Sequence, residues 1–363
     1  MEERPCAVAG LVMEMLDFYK GKRVFITGHT GFKGSWLCTM LLLAGAEVTG
    51  YALPPAEPGL FQIIGLEHRM RSVQGDIRDL DFLWRTFEAA KPELVFHLAA
   101  QPIVRESYRD PVGTYSTNVM GTVHILECIR RSDCVRSFLN VTTDKVYENH
   151  QWPWGYRETD VLNGFDPYSN SKSCSELVTD SYKNSFFLGG RVAISTARAG
   201  NVIGGGDFSA DRIIPDCVRA VQAGVPIQIR NPASVRPYQH VLEPLSAYLL
   251  IAQRQWENQS LSGSYNVGPD SSGCVTAQEL ADMFCRSWGA PARWEAIGEK
   301  GPHEDAILKL DCSKIQAALG WYPRWSVEQA IAETVSWTKA WLNGQEANRH
   351  LEQQIKIFLA QQP

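Results

Sequence analysis

A hydroxyl, an acid and a base follow one another in Thr143, Asp144 and Lys145, where the apolar run RSFLNVTT ends. Further along, YSNSK sets Tyr168 and Lys172 four residues apart, at the start of a segment of helical length, SKSCSELVTDSYKNSFF. On a helix that spacing puts a phenol and an ammonium on one face, about one turn apart. A cation beside the phenol, joined by a nicotinamide ring, would lower its pKa and make it a usable base. The Asp144–Lys145 pair has a bland reading as a solvated ion pair of little consequence. A free lysine has a pKa near about 10.4, so Lys145 works as a base only where burial or neighbouring charge lowers that value.

A nucleotide loop stands upstream. The run RVFIT leads directly into Gly28-His-Thr-Gly31-Phe-Lys-Gly34, which opens SWLCTMLLLAGA. The first glycine permits a tight turn, the second lets backbone approach a pyrophosphate, and the third lets helix and strand pack closely. The helix N-terminus supplies N–H groups and a dipole for the anion. Thr30, Phe32 and Lys33 belong to the same loop. After the third strand, Asp76 in QGDIRD is placed to meet the adenine with Ile77; its alternative is a helix N-cap. The second strand ends on Tyr51, where an acid usually grips the adenosine ribose, and no arginine stands there for a 2′-phosphate. NAD is expected over NADP by a modest margin, with loose affinity.

These residues need a frame. Short apolar runs (RVFIT, EVTGY, SVQGDI, ELVFHLAA, RSFLNVTT, RVAISTARAG) alternate with segments of helical period. Unbroken apolar strands suit burial on both faces, so the pattern predicts an α/β fold with a doubly wound parallel (Rossmann) sheet. Beyond Gly204 the rhythm changes to a Gly-rich loop, GGGDFSADR, then short strand-like PIQIR and GSYNVG among helices. We expect an N-terminal extension over 1–20, a cofactor domain mainly over 21–203 and a smaller mixed α/β substrate lobe mainly over 204–363. No linker divides the last two, so a cleft between interleaved lobes is expected.

The totals narrow the function. With 363 residues, 44% hydrophobic, a net charge of −5 and no basic stripe, the chain has no surface for nucleic acid. Its nine cysteines include no CxxC pair and read as reduced thiols, with no metal site. No run is long enough for a membrane span and the start lacks a signal peptide, so a cytoplasmic protein is expected.

The motifs TGHTGFKG, FHLAAQ, TNVMGT and YSNSK resemble those of the extended short-chain dehydrogenase/reductases. GHTGFKGSWL, TTDKVYENHQWPWGYRETD, GNVIGGGDFSADRIIPD and RPYQHVLEPLSAYL are similar to the nucleotide-sugar 4,6-dehydratases, in the branch acting on CDP-glucose. The resemblance spans roughly residues 20 to 360. It implies transient oxidation at carbon-4 of the sugar, 5,6-elimination of water and hydride return to carbon-6, serving deoxysugar (O-antigen dideoxyhexose) synthesis. It gives Tyr168 the 4-hydroxyl proton, Lys172 its support, Thr143 the 4-oxygen, Asp144 the acid role and Lys145 the base role. Lys145 departs from the Asp-Glu pair of thymidine-nucleotide relatives and matches the CDP-glucose branch. Leu98, Ala99, Ala100 and Asn118 become cofactor residues, and Asn201, Arg212, Arg236 and Asn266 substrate residues, with Ile227 to Ile229 beside the nucleobase. The segments TYSTNVMGTVHILECIRRS and SKSCSELVTDSYKNSFF resemble a four-helix homodimer interface, with a tetramer as the larger alternative. A nucleotide-sugar 4-epimerase, a dehydratase for another nucleotide sugar and a non-catalytic dinucleotide sensor are the competing readings.

Overall fold

Strand β1 (Arg23–Thr27) carries the logic of the whole sheet. Its alternate residues Val24 and Ile26 enter one core cluster, while Phe25 between them enters another. The same alternation recurs in β4 (Leu94–His97), with Leu94 and Phe96 on one face and Val95 on the other. It recurs again in β5 (Ser137–Val141) through Leu139 and Val141 against Phe138. A strand whose side chains are apolar on both faces must be covered on both, which places helices above and below.

The computed structural model describes residues 16–270, 273–298 and 307–361. With β2 (Glu47–Ala52), β3 (Arg71–Gln74), β6 (Ala193–Ala199) and β10 (Ser264–Val267), these strands form one seven-stranded parallel sheet ordered β10-β6-β5-β4-β1-β2-β3. The chain reverses direction of travel across the sheet between β1 and β4, and such a switch point opens a crevice beyond the strands' carboxyl ends.

A second region holds β7 (Asn201–Ile203), β9 (Val235–His240) and β11 (Cys274–Thr276) in a three-stranded sheet. A ribbon of two strands joins β8 (Ile227–Ile229) to β12 (Trp294–Ala296). Its own core gathers Ile214, Ile227, Ile229, Leu280, Phe284, Ile331 and Val335. The strand GSYNVG, grouped by sequence with this lobe, is instead the seventh strand of the main sheet, paired with β6. Helix Leu242–Glu257 also returns to the main sheet: Ser137 Oγ donates to Ala252 O at 2.9 Å and Gln255 Nε2 to Phe138 O at 3.0 Å. Four residues of alternating type cannot say which sheet they join, because pairing partners lie far off in sequence.

Of the extension expected over 1–20, residues 1–15 lie outside the described residues. Tyr19, at its end, is fully buried and donates to Leu249 O at 2.7 Å, so the core begins before residue 20. No helix among the described residues is long and apolar enough to cross a membrane.

Candidate active site

The glycine loop turns as its residue types require. Gly28 has φ 79°, and a Cβ there would stand 2.7 Å from Ala99 N; a Cβ on Gly34 would stand 2.2 Å from Gly28 O. Only glycine permits that closeness of loop, helix and neighbouring strand end. Helix α1 (Phe32–Leu43) starts with no side-chain cap at Gly31, which leaves its first-turn N–H groups to an incoming anion. Gly28, Thr30, Gly31, Phe32, Lys33, Gly34, Asp76, Ile77, Leu98, Ala99 and Ala100 all line one cleft of about 630 Å³.

Thr143, Asp144, Lys145, Tyr168, Lys172, Asn201, Arg212 and Arg236 line the same cleft, as do Ile227 and Ile229. Helix α2 (Pro167–Tyr182) delivers the phenol and the amine. Asp166 caps it, its side chain accepting from Ser169 N at 3.0 Å, and Pro167 fixes the first turn. Lys172 is buried and donates to Val141 O at 3.1 Å, so the amine is tied to the end of β5. Burial draws it down to about 8, against the pull of Glu176 one turn on.

Thr143 donates to Asp144 Oδ1 at 3.0 Å, and the second oxygen of Asp144 is buried without a hydrogen-bond partner. Desolvation pushes the Asp144 pKa up, more than Lys145, Thr143 and Arg236 pull it down. A carboxyl in that state favours carrying its proton. Gly200 packs against it; a Cβ there would come within 3.2 Å of Oδ2. Lys145 is half-buried beside it.

Behind this strand end sits a buried ionic centre that sequence reasoning missed. Thr142 Oγ1 and Thr196 Oγ1 (2.7 Å) donate to Glu176, and Arg198 meets the same carboxylate at 3.0 Å. Arg198 also donates to the Tyr147 hydroxyl at 2.9 Å. The signal was available in YSNSKSCSE: an acid four residues after Lys172 lies on the same helix face.

Known proteins bear on this geometry. A family model described as GDP-mannose 4,6 dehydratase matches residues 25–334. CDP-glucose 4,6-dehydratase from Salmonella typhimurium is 49% identical over 337 residues, covering 91% of this chain and 94% of its own. The chain belongs to the nucleotide-sugar 4,6-dehydratase family. Among solved structures, dTDP-glucose 4,6-dehydratase from Streptomyces venezuelae with NAD bound is similar at a TM-score of 0.75 and 26% identity, covering 89% of this chain and 99% of that one. UDP-glucose 4-epimerase from Thermotoga maritima shares the fold at a TM-score of 0.77 and 23% identity, covering 88% and 99%.

Against this family background two expected ligand residues stand outside the cleft lining. Asn266 does not face the cleft. It is fully buried on β10, accepts from the Tyr147 hydroxyl at 2.6 Å, and donates to Tyr156 O at 2.8 Å and Asp311 O at 3.1 Å. With its side-chain amide spent on protein partners, it is a structural residue. Asn118 is likewise set behind the cleft wall, accepting from Gln101 N at 2.8 Å and donating to Gln101 O and Ser171 Oγ. It holds the loop after Ala100. Tyr168, expected to be acidified by Lys172 and a nicotinamide ring together, is pushed up to about 12 by the protein's own surroundings, first by burial; Thr143 and Arg212 draw it back. The ammonium of Lys172 is engaged with Val141, so an acidified phenol requires the added positive charge of the nicotinamide.

At the other end of the cleft the residues differ in kind. Tyr51 is buried and donates to Asp76 O at 2.9 Å, so the end of β2 offers no acid to a ribose. Asp76 is not a helix cap; that place belongs to Asp79, which accepts from Phe82 N. Its carboxylate is held by Arg78, with contacts from 2.6 Å to 3.0 Å, and lies below the usual carboxylate range for that reason. Arg78, which also lines the cleft, was not singled out by sequence reasoning.

Proposed function

We propose that this enzyme converts CDP-glucose to CDP-4-keto-6-deoxyglucose and water, with NAD regenerated in each turnover. NAD is the cofactor. The glycine cradle and the uncapped start of α1 suit its pyrophosphate, and the bound nucleotide supplies the acceptor and later donor of the carbon-4 hydrogen. Every other task falls to the chain.

Tyr168 takes the proton of the 4-hydroxyl, and Thr143 steadies the 4-oxygen beside it. The resulting ketone acidifies the carbon-5 hydrogen, which Lys145 removes. Asp144 protonates the departing 6-hydroxyl, and as the carbon-4 hydrogen returns to carbon-6 the proton taken by Lys145 goes back to carbon-5. The observation that carries the reading is the buried, unpaired Oδ2 of Asp144. Burying a polar oxygen without a partner is costly, and a departing hydroxyl would supply the missing contact. An epimerase has no leaving group to protonate and no use for such a carboxyl.

Arg212 and Arg236 suit the diphosphate, since guanidinium meets phosphate in a bidentate fashion. Asn201 reaches the substrate from the same side, and β8 borders the base. Residues 21–203 hold mainly the cofactor and 204–363 mainly the sugar nucleotide. The preference for cytidine is supported by the likeness to the Salmonella dehydratase. Exposed Met120 and Leu177, 46% and 57% accessible on the two long helices, support a homodimer formed by four helices. We place the enzyme in the cytoplasm.

The test is incubation with NAD and CDP-, dTDP-, GDP- and UDP-glucose, followed by mass analysis. Loss of one water from CDP-glucose at the highest rate is expected. Faster turnover of another nucleotide would refute the cytidine assignment, and a product of unchanged mass with inverted carbon-4 would refute the dehydratase reading.

A further inference from the structure

The dehydration scheme leaves one half-buried amine of the cleft without a task. Lys33 stands in the first turn of α1, between Gly31 and Gly34 of the glycine loop, and lines the cleft. Its Nζ reaches the Tyr248 hydroxyl at 3.5 Å and lies 5.8 Å from the centroid of that ring. Tyr248 is fully buried on helix Leu242–Glu257, and it is close enough to Tyr168 for the two phenols to oppose each other's ionisation. The charges facing the amine are Arg212, Lys172 and Asp144. Two are cations, and the one carboxyl is drawn by burial toward its neutral form.

These groups enclose the end of the cleft where Tyr168 and Lys172 stand, which is the end that takes the nicotinamide. We propose that Lys33 sets the balance between oxidised and reduced cofactor: its ammonium repels the cationic ring of NAD+ and leaves neutral NADH undisturbed. The inference rests on the NAD assignment above. It fits a reaction in which the cofactor must stay reduced throughout the elimination and give its hydrogen back only afterwards. A lysine that merely bound the pyrophosphate would favour both forms alike.

Burial first, then Arg212 and Lys172, bring Lys33 down to about 7, against the pull of Asp144. The amine is therefore charged at lower pH and neutral at higher pH. Relative to NADH, NAD+ should bind more tightly as pH rises through that value. Lys172, down to about 8, titrates in the upper part of the same range, so the difference between wild type and variant isolates Lys33.

The experiment is calorimetric titration of the nucleotide-free enzyme with NAD+ and with NADH, from about pH 6 to about pH 8.5. For Lys33→Met, the ratio of NAD+ to NADH affinity should rise about tenfold at the acid end, a modest fraction of the Coulomb energy of two charges several ångströms apart. The step near neutrality should vanish. Lys33→Arg, permanently charged, should hold the ratio low at every pH. A Met variant with the wild-type ratio and slope would overturn the proposal. So would an equal loss of affinity for both nucleotides, which would make Lys33 a pyrophosphate ligand. Failure of the wild type to bind either nucleotide would remove the cofactor assignment and the inference with it.

Discussion

At the adenosine end of the cleft, Asp76 and Arg78 are partly exposed and already bound to each other. At the sugar end, Asp144 and Lys172 are buried and Lys33 is half-buried, and each is shifted toward its neutral form. The first pair is satisfied without a ligand and screened by water, so a nucleotide arriving there gains little beyond shape. The second group carries a desolvation cost that an incoming substrate and a cationic ring can relieve. Recognition is thus weakly held at one end, and chemistry is concentrated at the other.

The sharpest way to break this contrast is Tyr168→Phe. Loss of a general base commonly costs on the order of a hundred- to ten-thousand-fold. Turnover should fall by that much while CDP-glucose affinity, measured by calorimetry, stays within about threefold, since a threefold change is under about 1 kcal/mol. A Phe variant with near-normal turnover would take the phenol out of the mechanism. Next in size is Lys145→Met. It should still oxidise carbon-4 and then stall, with reduced nicotinamide building up in a single turnover. Solvent deuterium should enter carbon-5 on the order of a hundredfold more slowly. Normal exchange would show that another group removes the carbon-5 proton.

The same contrast explains what the sequence revealed. Gly28 and Gly34 were legible because backbone contacts closer than 3 Å permit no other residue, a demand written into residue type. The alternation of β1, β4 and β5 was legible because burial on two faces leaves a continuous apolar run. Tyr168 and Lys172 were legible as a spacing. That Asn266 and Asn118 stand outside the cleft lining was not legible, because an amide facing a cleft and an amide bound to backbone look alike in sequence. Lys33 read as one of the cofactor-binding residues of the glycine loop, with nothing to mark its surroundings. Its isolation depends on Tyr248, a contact across 215 positions that no local pattern encodes. The environment of Tyr168 shows a related limit: spacing placed the cation but could not measure the burial opposing it.

A smaller effect separates function from stability at Asp144. Its folded pKa is raised, so its native-state cost is absent where it is protonated in both states, and it grows as pH rises above the unfolded value toward the folded one. Asp144→Asn removes that cost. The variant's Tm, relative to wild type, should therefore climb as buffer pH goes from about 4 to about 8, the unfolded value being near about 3.9. Dehydration should be severely impaired over the same range. A Tm difference that shrank with rising pH would mean that Asp144 is ionised and stabilising in the fold.

The smallest change is expected at the adenosine end. Asp76→Ala frees Arg78 and removes a carboxylate that is at best a secondary contact. NAD affinity should fall by less than about tenfold, the worth of one hydrogen bond to a charged group at most about 3 kcal/mol and less where water competes. The freed guanidinium should also narrow the margin over NADP, since an arginine near that ribose can accommodate a 2′-phosphate. Titrating wild type and variant with both nucleotides checks the two effects together. A loss far above tenfold, with no gain for NADP, would show that Asp76 grips the adenosine directly despite its tie to Arg78, and the contrast between the two ends of the cleft would have to be redrawn.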